Sequence, residues 1–147
     1  MPDPFVAPEE STAAAAVEAI ADELAVFDDW MDRYQFIIEL GRKLPRFPEP
    51  WMDDAHRVPG CQSRVWMEGT LRDGKLFLAG ISDAAIVSGL IALLLRVYSG
   101  RAPEEIVATD PVFLKELGLL EALSTNRGNG IAAMARKIRE LAALQSA

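Results

Sequence analysis

Two side chains in this 147-residue chain have the chemistry of a nucleophile and its base, and they lie close together in sequence. His56 and Cys61, in "HRVPGCQS", are the only histidine and the only cysteine. A thiolate beside an imidazole is the parts list of a cysteine nucleophile. Most other chemistry lacks parts. One His and one Cys leave no CxxC, no HExxH and no Cys/His zinc set. Iron–sulfur ligation from one chain normally takes three or four thiolates or imidazoles. No Walker-type or GxGxxG loop is present. The carboxylate pairs Asp28-Asp29, Asp53-Asp54 and Glu104-Glu105 stand at expected helix starts and loops, where solvation and the helix macrodipole account for them. The glycine-rich "NRGNG", residues 126–130, reads as a turn and cap rather than an anion site.

The elements around Cys61 must place it. Upstream, Pro45, Pro48 and Pro50 deny backbone donors and fix φ, so "LPRFPEPW" is an extended connector. It runs into "MDDAHRVPGCQS", which has no regular period and reads as a loop. Downstream the period changes to two. Strands are predicted at about 63–72 and 75–81, with Asp73-Gly74 between them as a hairpin turn. A short segment at Arg57–Pro59 is expected to add a third, edge strand. A lone intracellular thiol, judged by composition, behaves as a small buried hydrophobe. Its place in a Pro-Gly loop beside a sheet argues the other way, since rigidly held loops carry reactive groups. Both readings of Cys61 stand at this point.

The rest of the chain reads as helices. Ser11 or Thr12 caps a helix with Val17, Ile20, Leu24 and Phe27 on one face, and Asp28-Asp29 cap a second with Trp30, Tyr34, Ile37, Ile38 and Leu44. Ser82 and Asp83 are expected to cap the long apolar run Ala84–Tyr98, too short and too interrupted to span a bilayer. Pro103 opens a further helix, Asp110-Pro111 another ending at Gly118, and Ile131, Met134, Ile138 and Leu141 mark the last. Helices, a small antiparallel sheet, then helices make an α+β fold. Residues 1–10, with three prolines, are expected to be a flexible leader, and 11–147 a single domain.

Charge narrows the partners. With 22 Asp plus Glu against 15 Lys plus Arg, the chain carries −7 and no basic run, the wrong bias for phosphate contacts, so no nucleic acid is expected. No signal-peptide pattern opens the chain, no membrane association is expected, and the cytoplasm is the natural compartment.

The motifs then match a known family. "GCQSRVW", the "DGKL" hairpin and "SDAAIVSGLIALLLRVYSGRAPEEI" together resemble the SufE family of sulfur acceptors, as do "FDDW", "YQFIIELGRKLP" and "LSTNRGNGIAAM". The resemblance spans about residues 17–143. It implies the fold shared with U-type iron–sulfur scaffolds, whose several ligand cysteines this chain lacks. It also implies a function: Cys61 takes persulfide sulfur from a pyridoxal-phosphate-dependent, SufS-like cysteine desulfurase, stimulates it, and passes the sulfur to an iron–sulfur scaffold complex. No cofactor or metal of its own is implied, and a homodimer is. By the same resemblance Gly60, Gln62 and Ser63 flank the acceptor, while Asp83 and Arg127 belong to docking or loop positioning; His56, in the same loop, is expected from its position to support it. The chain departs from the family at Ile81, where an acidic residue is common, at His56, where asparagine is common, and in "STNRGNG". Two rival readings are a non-catalytic adaptor of a desulfurase complex and a hydrolase with a Cys61–His56 pair.

Overall fold

The computed structural model describes residues 3–61, 63–119 and 125–146, with backbone alone at 125–129 and 146. Helix α1 (Ala13–Ala25) starts where the Thr12 hydroxyl accepts from Ala15 N, and α2 (Trp30–Arg42) where Asp29 accepts from Asp32 N. A single 3-10 turn, Glu49–Trp51, follows the proline connector. Strands β1 (Val65–Arg72) and β2 (Lys75–Ser82) form the antiparallel hairpin. Helices α3 (Ala85–Tyr98), α4 (Pro103–Ala108), α5 (Phe113–Glu116) and α6 (Thr125–Ser146) complete the α+β architecture.

The hairpin closes as its sequence requires. Asp73 and Gly74 both take positive φ, 51° and 78°, the two left-handed residues of a tight two-residue turn, and Arg72 pairs with Lys75. Strict alternation then sends Val65, Met67, Leu76 and Leu78 to one face, which packs under α3. Ten residues of α3 are buried, and the helix is covered by the sheet, α1, α2 and α6. Against α2 the cover is backbone on backbone: a Cβ on Gly89 would lie 2.2 Å from Ile37 O, and one on Gly41 2.5 Å from Gly89 N. Glycine at both positions is what lets these helices touch.

The second face of the sheet is covered too. Trp66, Ala79 and Ile81 pack with Phe47, Trp51 and Phe5 in a smaller core. Phe5 belongs to the segment expected to be a loose leader, and from Asp3 onward that segment lies against the sheet and α3. Val6 N donates to Leu78 O, Val6 O accepts from the Ser99 hydroxyl, and Arg72 reaches Asp3. Arg96 binds Glu9, Glu10 and Glu23 together, while the buried Arg101 donates to the carbonyls of Val97, Arg96 and Glu10. Tertiary pairing ties down what composition alone leaves free.

Three other expectations are refined. The third strand at 57–59 is a single bridge, Arg57 to Trp66, because Pro59 has no N–H and Gly60, at φ 86°, turns the chain away. Ser82 and Asp83 do not cap α3 directly: Ala84 holds the cap position, and Ser88 Oγ folds back onto Ser82 N and O. "NRGNG" is not a turn but lies within the opening of α6, where glycine's freedom gives way to the packing of buried Gly130 against Cys61.

Candidate functional site

Cys61 sits at the tip of a loop on a short antiparallel stem. Met67 N donates to His56 O and Val58 N to Val65 O, both at 2.9 Å, so residues 56–58 lie alongside the start of β1. Val58, almost wholly buried, pins the stem into the core. Beyond it Pro59 and Gly60 make the bend, and a Cβ placed on Gly60 would lie 3.5 Å from Ala133 on α6. Cys61 is half-buried, packs on the edge of the main core, and points its thiol at Gly130 O, 3.6 Å away. Burial raises its pKa above the ordinary thiol value, with the positive charge of Arg57 opposing in part. At rest the sulfur is therefore a protonated thiol parked against a helix, not a primed thiolate.

The far side of the loop is held by Asp83. Its carboxylate accepts from Arg64 N at 3.1 Å and from Arg64 Nε at 3.0 Å, while Asp83 N donates to Arg64 O and Ser82 Oγ donates to the same carbonyl. The Arg64 bonds hold the Asp83 carboxyl below its ordinary pKa. Arg64 also lies over the Trp66 ring. Thus one expected site residue, Asp83, closes the loop through a residue that sequence reading passes over. Ser63 is half-buried within the loop. Gln62 lies outside the described residues, and Arg127 is described in its backbone alone, within the first turns of α6.

His56 does not pair with Cys61, so the Cys–His hydrolase reading is corrected. Nδ1 lies 2.6 Å from Asp53 Oδ1, Nε2 lies 2.8 Å from Glu68 Oε2, and the ring stacks on Trp51 at 5.8 Å. Both nitrogens are committed to carboxylates, which leaves none to take a proton from the thiol. The Asp53 hydrogen bond, opposed by burial and helped by Glu68, raises the His56 pKa. His56 is a tether of the stem. Its partner Glu68 is hidden in the sequence because the contact depends on strand register.

Next to the loop, Val58, Pro59, Ala133, Arg136, Lys137 and Glu140 line a small cleft of about 110 Å³. Among the described residues no cluster of three or more His, Cys, Asp or Glu side chains is placed to hold a metal, and no helix is long and apolar enough to cross a membrane. What the site offers is one loop-borne thiol, half-sheltered, with a cleft at its foot.

Comparison with known proteins finds matches along most of the chain. The family model described as "SufE: Fe-S metabolism associated domain" matches residues 18–142. An uncharacterised SufE-like protein of Rhizobium meliloti (strain 1021) is 40% identical over 129 residues, covering 84% of this chain and 92% of the relative. The "Sulfur acceptor protein CsdE" of Escherichia coli (strain K12) is 36% identical over 123 residues, covering 82% and 84%. Among solved structures, the solution structure of a hypothetical protein from Thermus thermophilus superposes with a TM-score of 0.73 at 21% identity, over 88% of this chain and 95% of that one, a likeness of fold.

Proposed function

This chain belongs to the SufE family, and we propose that it is a sulfur acceptor whose Cys61 takes persulfide sulfur from a pyridoxal-phosphate-dependent cysteine desulfurase. The observation that carries the reading is the placement of the only thiol at the tip of a stem-held loop that turns at Gly60. Thiol exchange needs a reachable sulfur and no resident metal. The Cys61 thiolate attacks the terminal sulfur of the donor persulfide. The donor's S–S bond breaks, its thiolate leaves, and a new S–S bond forms on Cys61. The proton released from Cys61 is matched by the one the departing donor thiolate takes up.

The resting geometry fits the two demands on such a carrier. Against Gly130 the sulfur is shielded and protonated, which suppresses side reactions. Moved outward about Gly60 it leaves the low-dielectric contact that raises its pKa, so exposure and activation are the same motion. Delivery onward to an iron–sulfur scaffold complex, a homodimer in solution and a cytoplasmic setting complete the proposal by family analogy. The test is desulfurase turnover. Sulfide release from cysteine should rise when wild-type protein is added and stay at the desulfurase's own rate with Cys61→Ser. Equal stimulation by both would make the protein an adaptor that acts without its thiol.

A further inference from the structure

The tether at the base of the loop has a chemical requirement. A neutral imidazole has one N–H, so it donates to one carboxylate and turns a lone pair toward the other. His56 has carboxylate oxygens at hydrogen-bond distance from both edges, Asp53 at 2.6 Å and Glu68 at 2.8 Å. Only the imidazolium satisfies both while both carboxylates are ionised. Among the described residues those two are the charged groups paired with the ring: Asp53 comes from the loop after the 3-10 turn, Glu68 from β1, and the apolar face of Trp51 covers the ring plane. The two sides are unequal. Asp53 Oδ1 also accepts from the backbone N–H of His56, so the turn 53–56 holds itself together. Glu68, in contrast, is the link between that turn and the sheet, and its other oxygen accepts from Gly69 N.

We propose that the Asp53–His56–Glu68 bridge is a proton-dependent strut that sets the position of the Cys61 loop, with Asp53 and Glu68 as positioning residues acting through His56. The proposal rests on the reading of Cys61 as the sulfur acceptor and adds a control to it. With His56 charged, the ring ties residues 53–58 to β1 and holds the stem, whose hydrogen bonds are Met67 N to His56 O and Val58 N to Val65 O. When the ring loses a proton, the remaining one stays on Nδ1, between the ring and the shorter, doubly used Asp53 oxygen. Nε2 then presents its lone pair to the Glu68 carboxylate, that contact opens, and the stem keeps only its backbone bonds. Loop release therefore increases as pH rises through the His56 midpoint, in the same direction as thiolate formation on Cys61.

His56 is the sole histidine, so its ring resonances report its own titration without ambiguity. The experiment is to follow them by NMR alongside amide exchange at Met67 and Val58, corrected for intrinsic exchange, across pH 5 to 8.5. The His56 midpoint should lie above the unperturbed value of about 6.5 and fall in Glu68→Gln. Protection at Met67 should drop roughly two- to fivefold through that midpoint, the range of a part-exposed ion pair, and should be flat in His56→Gln. The ratio of Cys61 alkylation rates, wild type over His56→Gln, should rise over the same interval. Protection without a step in wild type, the same step in His56→Gln, or a midpoint unmoved by Glu68→Gln would each overturn the strut. Should His56→Gln fail to fold, Glu68→Gln against wild type carries the comparison. No desulfurase enters these measurements, so a failure of sulfur transfer and a failure of the strut are told apart.

Discussion

Replacing Asp83 by alanine should unfasten the outer end of the Cys61 loop without unfolding the protein. The carboxylate accepts two hydrogen bonds from Arg64, one from its backbone and one from its guanidinium, and both disappear in Asp83→Ala. The Arg64 and Asp83 side chains are 58% and 40% exposed, so the ion pair is largely screened and contributes at the level of a surface pair, about 0.2–1 kcal/mol. The backbone N–H bond adds roughly 0.5 kcal/mol after water takes its place. The sum, about 0.7–1.5 kcal/mol, corresponds to a roughly three- to tenfold larger open population of the loop. Cys61 alkylation by iodoacetamide at fixed near-neutral pH reads that population, because the parked thiol is both half-buried and protonated. The rate should rise about three- to tenfold in Asp83→Ala and less in Arg64→Ala, which keeps the backbone bond. The double variant should match Asp83→Ala alone, since the two act through one contact. An unchanged rate, or effects of the two substitutions that simply multiply, would refute the latch.

Other consequences follow from the same geometry. The alkylation midpoint of Cys61 should lie above that of a cysteine in a short peptide and move higher still in Arg57→Ala, because burial raises it and Arg57 opposes; a wild-type midpoint below the peptide's would contradict the parked-thiol reading. Gly60→Ala forces a Cβ into φ 86°, and with only an ordinary contact to Ala133 the cost is backbone strain of about 1–2 kcal/mol. A denaturant midpoint equal to wild type would show that the hinge does not need glycine. Gly89→Ala drives a methyl into the Ile37 carbonyl and should destabilise by about 3 kcal/mol or more, since backbone on both helices must part. Thermal unfolding measures it, and an unchanged transition would mean α2 and α3 are less tightly seated than described.

The contrast between Cys61 and its supports explains what a sequence discloses. The hairpin is legible because Asp73-Gly74 is local: two residues must take positive φ, and few pairs do so at low cost. The long helix is legible because its apolar run has one physical solution, burial on most sides. The loop that carries Cys61 is legible from its Pro-Gly bend and its place before the hairpin. Its controls are not, because each is a long-range pairing. Glu68 meets His56 only once the stem registers against β1, and Asp83 meets Arg64 across nineteen residues. Gly130 accepts from the thiol within a stretch whose composition favours a turn and which is nonetheless helix. The amino-terminal segment shows the same limit: its prolines signal looseness, while Arg96 and Arg101, some ninety residues on, hold it down.

Whether Cys61 itself receives the sulfur is decided by intact-mass and peptide spectrometry after incubation with a cysteine desulfurase and cysteine. One added sulfur atom is expected on the peptide carrying Cys61, removed by dithiothreitol and absent in Cys61→Ser. A desulfurase that turns over normally while the Cys61 peptide keeps its original mass would contradict the assignment.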